Sequence, residues 1–197
     1  MQIDVVSDTV CPWCHIGRAR LNKAIALRPD LDIQVVWHPY QLAPELPREG
    51  IDRKEYLEKK FGGADKARHI YDAIIEAGTY EGIPFAFEKI KRAPNTYDSH
   101  RLILWAGAAG CQDRMVGILF RLYFEDGADI GDPEVLVGAA AEAGMDADLV
   151  RELLAGDADR DRIEAELMIA RRLDIQGVPT LLFNQRYLLS GAQDPMQ

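Results

Sequence analysis

Apolar residues follow two different periods along the chain, and the change between them predicts how the fold is organised. Residues 3–6 form a short apolar run and residues 33–37 alternate apolar with polar positions, which are patterns of buried and half-buried strands. The segment between them, from about Cys11 to Arg28, is typical of a helix that ends before Pro29. This strand–helix–strand order predicts a parallel strand pair joined by a right-handed crossover.

Helical periodicity replaces the strand pattern over the middle of the chain. Several prolines and Gly50 mark an extended connection after the second strand. Helices are then predicted near 54–61, 64–78, 95–109, 112–126, 133–143 and 147–155. Asp132-Pro133-Glu134 gives the clearest start signal, because it combines a capping carboxylate, a proline at the first helical position and an acid near the positive end of the helix.

Strand character returns near the C-terminus. After a helix near 159–173, two apolar runs at 180–183 and 187–189 flank three polar residues, as in a β-hairpin. Strands at both ends and helices between them predict an α/β fold with a large all-helical insertion. We expect residues 1–40 and 157–197 to form one discontinuous domain, and residues 41–156 to form the inserted helical domain.

Composition and charge exclude several classes of partner. The 197-residue chain carries a formal net charge of −9, whereas nucleic acids and anionic membranes are recognised by basic patches. No uncharged apolar stretch reaches the roughly 18 residues of a membrane span. The first residues, Met1 to Val6, lack the basic and apolar regions of a signal peptide. We therefore expect no nucleic-acid or membrane partner, and a cytoplasmic location.

The candidate chemistry is concentrated in Cys11-Pro12-Trp13-Cys14, between the first strand and the first helix. This spacing puts both sulfurs on one side of the first helical turn, close enough to form a disulfide. The unpaired N–H groups and the positive dipole end of a helix N-terminus favour a thiolate over a thiol. In a reducing compartment, one close pair in a chain of few cysteines indicates redox or metal chemistry rather than a structural cross-link.

The residues of the chain also bear on three other interpretations of the cysteine pair. A structural disulfide is disfavoured by the position of the pair at a helix start. A zinc site needs four ligands, and the chain has no second cysteine pair, so we expect no metal. Cys-X-X-Cys-His also matches covalent haem attachment, which requires export and a helical haem-binding fold rather than an α/β pattern.

The motif Val10-Cys11-Pro12-Trp13-Cys14-His15, with Gly177-Val178-Pro179-Thr180 before a late strand, resembles the DsbA-like thioredoxin superfamily. It is most similar to the cytosolic FrnE-type branch, a neighbour of the 2-hydroxychromene-2-carboxylate isomerases and kappa-class glutathione transferases. The resemblance implies a thioredoxin fold in which Cys11 is the exposed nucleophile and Cys14 the buried resolving thiol. It also implies a cis bond before Pro179, and a backbone at Val178 that pairs with an extended substrate.

The activity implied by this resemblance is thiol–disulfide exchange with protein or small-molecule partners. Pro12, Trp13 and His38 are the side chains expected beside the substrate, since His38 ends the second strand at the carboxyl edge of the sheet. No resident cofactor is expected, and glutathione is a candidate co-substrate. A homodimer is one oligomeric state that the sequence leaves open.

A glutathione-dependent isomerase or transferase is the alternative activity. Relatives with that chemistry usually carry serine at the position of Cys11. Ser190-Gly191-Ala192-Gln193 also stands where those relatives tend to have an acidic residue that contacts glutathione. A binding module that has kept the fold without catalysis is a third class.

Residues outside the two motifs receive structural interpretations. We expect His15 to be a partly exposed helix residue, with tuning of the Cys11 pKa as its alternative role. We expect Asn95-Thr96 to cap the helix that follows. His100 and Arg101 match the isomerase pattern, although an exposed helix face explains them equally well. Cys111 is expected to be a small buried apolar residue.

Overall fold

The computed structural model describes the backbone of residues 1–197 and the side chains of residues 1–63 and 66–197. It contains six strands: β1 (Gln2–Ser7), β2 (Gln34–Pro39), β3 (Ile51–Asp52), β4 (Arg92–Ala93), β5 (Thr180–Phe183) and β6 (Tyr187–Ser190). It contains eight α-helices: α1 (Pro12–Ala26), α2 (Arg53–Phe61), α3 (Ala64–Glu81), α4 (Tyr97–Ala108), α5 (Gln112–Phe124), α6 (Pro133–Ala143), α7 (Ala147–Ala155) and α8 (Arg160–Arg172).

The main sheet has four strands in the order β2-β1-β5-β6. Its central strand β1 pairs in parallel with β2 and antiparallel with β5, so that Val5 lies opposite both Trp37 and Leu181. Helix α1 is the crossover between β1 and β2, which confirms the parallel pair predicted from the strand–helix–strand spacing. β1 is buried along nearly its whole length, as its apolar run requires.

The segment between β2 and α8 is helical, as the periodicity predicts, with one addition. β3 pairs antiparallel with β4, and a strand pair of two residues each is too short to leave a period in the sequence. One apolar core joins β1 and α1 to the helices α4–α7, so the sheet and the helical segment share buried surface. The two domain ranges given above stay a prediction.

The exposed helix face considered for His100 and Arg101 is wrong, because both side chains are buried. The Nε2 of His100 donates to the carbonyl oxygen of Tyr40 at 2.8 Å. Arg101 donates to three carbonyl oxygens at the end of α7 and just after it, those of Leu153, Gly156 and Ala158. The pattern of polar and apolar residues in the sequence does not distinguish a buried, hydrogen-bonded arginine from an exposed one.

Candidate active site

The cysteine pair lies in the tight turn where β1 ends and α1 begins. Cys11 is the N-cap residue, with extended backbone angles, and Pro12 occupies the first helical position, where an N–H would have no partner. The Cys11 N–H donates to the carbonyl oxygen of Asp8 at 3.1 Å, and the Cys14 N–H donates to the carbonyl oxygen of Cys11 at 3.0 Å. These bonds hold both cysteines at the N-terminus of α1.

The structure brings the second motif against the first, although 167 positions separate them. The Cys11 thiol donates to the carbonyl oxygen of Val178 at 3.5 Å. The Val178–Pro179 peptide bond is cis. The carbonyl of Pro179 accepts a hydrogen bond from Gly191 at 2.8 Å, which ties the segment to the end of β6. The Cys11 sulfur and the Val178 backbone therefore lie side by side.

Gly17 allows α1 to pack against Pro179, and the sequence analysis missed this role. A Cβ at position 17 would lie 2.9 Å from Cγ of Pro179, closer than real side chains approach. Glycine inside a helix costs about 1 kcal/mol relative to alanine, so a helical glycine just after the cysteine motif is a signal of close packing.

Both thiols are buried, so the exposed position implied for Cys11 is wrong: that residue is 5% exposed. Cys14 is completely buried, and this burial raises the pKa of its thiol well above the usual value. The side-chain hydrogen bond to Cys11 and the negative charge on Cys11 raise it further. Hydrogen bonds from the Ser7 side chain and the Asp8 backbone act in the opposite direction and favour the Cys14 thiolate. A protonated Cys14 can therefore donate to the Cys11 sulfur and stabilise charge there.

His15 is buried, so the partly exposed position expected for it is wrong. Its Nε2 lies 3.1 Å from Oε1 of Glu125, and its ring stacks on Phe120 with centroids 5.1 Å apart. Burial lowers the pKa of His15, and the neighbouring carboxylate opposes this effect only in part. A mainly neutral imidazole thus connects α1 to the end of α5.

A cleft of about 290 Å³ opens beside Cys11. One side of the cleft is lined by Cys11, Pro12, Trp13 and Val178. Trp13 is 37% exposed. Residues of the helical segment line the opposite side, chiefly aromatic rings with two cationic side chains: Tyr56, Tyr71, Phe87, Arg53 and Lys60. No sequence pattern marks these residues, because no local signal shows which side chains the fold turns toward the cysteine pair.

His38 is not brought together with the cysteines. Successive side chains of a strand point to opposite faces, so Trp37 enters the core whereas His38 faces α8. The Nε2 of His38 lies 2.9 Å from Oδ1 of Asp4, and its Nδ1 lies 3.6 Å from Oε2 of Glu166. His38 lines a separate cavity of about 650 Å³.

Cys111 and the Asn95-Thr96 pair lie outside the reacting centre. Cys111 precedes α5 and is half-buried rather than buried as expected. The Asn95 side chain accepts from the N–H of Tyr97 at 3.0 Å and so caps α4, whereas Thr96 makes no side-chain cap bond.

Two further findings concern the described part of the chain. Within it, no group of three or more His, Cys, Asp or Glu side chains is arranged to hold a metal ion. No helix there combines the length and the hydropathy needed to cross a membrane.

Comparison with known proteins finds a family model and a solved structure that are similar to this chain over nearly its whole length. The family model for the DSBA-like thioredoxin domain matches residues 2–197. The probable DsbA oxidoreductase SCO1869 from Streptomyces coelicolor superposes with a TM-score of 0.90 at 31% identity, over 100% of this chain and 86% of that one.

Two more distant structures are similar in fold alone. A 2-hydroxychromene-2-carboxylate isomerase superposes with a TM-score of 0.73 at 19% identity, covering 98% of this chain and 89% of the isomerase. The cytosolic disulfide reductase DsbM from Pseudomonas aeruginosa, solved with GSH, gives 0.69 at 19% identity, covering 96% and 90%.

Proposed function

We propose that this chain, which belongs to the DSBA-like thioredoxin domain family, is a thiol–disulfide oxidoreductase that uses Cys11 and Cys14. The observation that carries the proposal is the 3.5 Å contact between the Cys11 thiol and the Val178 carbonyl oxygen. It joins a cysteine at a helix N-terminus to a backbone segment that an extended substrate can approach.

The reaction proceeds by two exchanges at sulfur. The Cys11 thiolate attacks a substrate disulfide, forms a mixed disulfide and releases one substrate thiolate. Cys14 then loses its proton to solvent and attacks the Cys11 sulfur. This step releases the second substrate thiolate and closes the Cys11–Cys14 disulfide. Two electrons pass from the cysteine pair to the substrate, and the reverse sequence oxidises a substrate dithiol.

The surrounding residues orient this exchange. Pro12 leaves no N–H beside the sulfurs, and the exposed indole of Trp13 offers an apolar surface to the substrate. Val178 and Pro179 supply the backbone that faces Cys11. Protein disulfides and small-molecule disulfides can both enter an open cleft of this kind.

In this scheme glutathione acts as a co-substrate of thiol–disulfide exchange, and not as the cofactor of an isomerase reaction. DsbM was solved with GSH, and its fold is similar to that of this chain. Cys14 next to Cys11 provides an internal thiol that displaces any glutathione joined to Cys11. We therefore place the glutathione-dependent isomerase second, and a cytoplasmic setting agrees with glutathione as the partner.

A trapping experiment tests the proposal. In a Cys14→Ser variant the mixed disulfide on Cys11 has no resolving thiol, so it should accumulate and be detectable by mass spectrometry. Insulin disulfides should be reduced more slowly by this variant than by the parent chain. Cys11→Ser should abolish both the adduct and insulin reduction, and Cys111→Ser is the matched control that should leave both unchanged. Cys11-independent insulin reduction would overturn the proposal.

A further inference from the structure

Two cationic side chains face the Cys11 cleft from the helical segment. Arg53, at the start of α2, donates to the hydroxyl groups of Tyr71 and Tyr123. Lys60, near the end of the same helix, donates to the hydroxyl of Tyr56 at 2.6 Å. The tyrosines therefore hold both cations in place without neutralising them, because a phenol is uncharged near neutral pH.

Neither cation has an acidic partner among the residues that the structure describes. No carboxylate oxygen of those residues lies within 4.0 Å of Arg53 or Lys60, whereas the adjacent Lys59 pairs with Glu55 at 2.6 Å on the outside of the helix. Of the described residues that line the cleft, Asp8 is the one carboxylate, and its Oδ2 accepts from the N–H of Leu42 at 2.7 Å.

This local excess of positive charge contrasts with the rest of the chain. The net charge is −9, with 32 acidic and 23 basic residues, so acids are plentiful as partners for surface cations. A guanidinium keeps its charge and presents a planar fork of donors that matches a carboxylate. Two of its N–H groups bond the tyrosines, and no other described side chain bonds the remaining donors, so they can bind an anion.

The walls of the cleft favour a ligand that also carries an apolar or aromatic group. Aromatic rings surround the cations, with Arg53 5.6 Å from the Tyr56 ring centroid and Lys60 5.8 Å from that of Phe61. Tyr71 stacks on Phe87 with centroids 4.3 Å apart, which forms a flat apolar surface. A cleft of about 290 Å³ accommodates a small organic molecule better than a folded chain.

We propose that Arg53 and Lys60 bind the carboxylate of an aromatic or apolar thiol or disulfide, and so hold its sulfur at Cys11. This proposal rests on the proposed function, since the reacting sulfur is that of Cys11. The exchange is the one written above, with the substrate disulfide taking two electrons from the cysteine pair and leaving as two thiolates.

Two aromatic disulfide probes separate charge recognition from sulfur chemistry. 5,5′-Dithiobis(2-nitrobenzoate) carries a carboxylate on each ring, and 4,4′-dithiodipyridine carries none. Single-turnover rates with the reduced full-length chain, in a Cys111→Ser background, report the cysteine pair alone. Arg53→Gln should slow the carboxylate probe about tenfold and Lys60→Gln about threefold. The dipyridine rate should stay within about twofold of the parent in both variants.

Lys59→Gln is the matched control, because it removes the same charge from the same helix but outside the cleft. It should leave both probe rates unchanged. Equal slowing of both probes by Arg53→Gln, or no slowing of the carboxylate probe, would overturn the inference. A Cys11→Ser variant that still reacted with the dipyridine probe would instead overturn the proposed function, so the two failures are distinguishable.

Discussion

In the proposed mechanism the two cysteines carry different steps, because Cys11 lines the cleft whereas Cys14 is completely buried outside it. Cys14 must lose a proton before it can attack the mixed disulfide, and burial raises the pKa of its thiol. The charge on Cys11 disappears once that sulfur is bonded to substrate, but the burial of Cys14 remains. The resolving step therefore keeps an alkaline pH dependence that comes from Cys14.

In a single turnover with 5,5′-dithiobis(2-nitrobenzoate), the second substrate thiolate is released when Cys14 attacks the mixed disulfide. We expect the rate of this second release to rise about tenfold per pH unit until Cys14 ionises. Ser7→Ala removes a hydrogen bond that favours the Cys14 thiolate, so it should slow that release at neutral pH and lose its effect at alkaline pH. Stopped-flow absorbance separates the two releases. A second phase that is independent of pH would contradict this assignment.

At the scale of single elements, Arg101 connects α4 to the end of α7. It is fully buried, and its Nη2 lies 2.7 Å from the Leu153 oxygen and 2.9 Å from the Gly156 oxygen. Its Nη1 donates to Asp98 at 2.9 Å, which balances the buried charge. These bonds satisfy carbonyls that α7 leaves unpaired at its C-terminus.

Arg101→Met should lower the free energy of unfolding by about 3 kcal/mol, because it leaves buried carbonyls without a partner and leaves Asp98 with Arg48 alone. Chemical denaturation measures the change. Arg151→Met on the exposed face of α7 is the control and should have no measurable effect. Equal stability of the two variants would show that the buried bonds contribute nothing.

The sequence predicts elements best where a local cap defines them. α6 and α7 have the predicted bounds, because Asp132 and Asp146 accept backbone N–H groups at their starts. The strand pair β3–β4 has no local signal, since its bonds join residues about 40 positions apart in the chain. His15 and Arg101 were misjudged because their partners, Glu125 and the carbonyls near residue 156, are brought near by tertiary packing alone.

At the scale of the whole molecule, the candidate site depends on segments from both ends and the middle of the chain. The cysteine motif and the Val178 segment were predictable because each has a recognisable short pattern. The opposite wall of the cleft was not predictable from the sequence. Arg53 and Lys60 are recognisable as part of a binding site only once the fold places the aromatic rings of α2 and α3 around them.

His38 joins the two ends of the chain on the other face of the sheet. Asp4 belongs to β1, His38 to β2 and Glu166 to α8. Burial by itself would lower the pKa of His38, but hydrogen bonds and charges from Glu166 and Asp4 outweigh it and raise the pKa. A protonated His38 therefore bridges two carboxylates from opposite ends of the sequence.

Because this pKa is raised on folding, the stabilisation is complete below the unfolded value of about 6.5 and is lost as pH rises through the folded value. The difference in unfolding free energy between the parent and His38→Gln should therefore be larger at about pH 5.5 than at about pH 9. His69→Gln, on the exposed part of α3, is the control and should show no such trend. A His38→Gln deficit that is constant with pH would show that the imidazole holds α8 to the sheet as a neutral group.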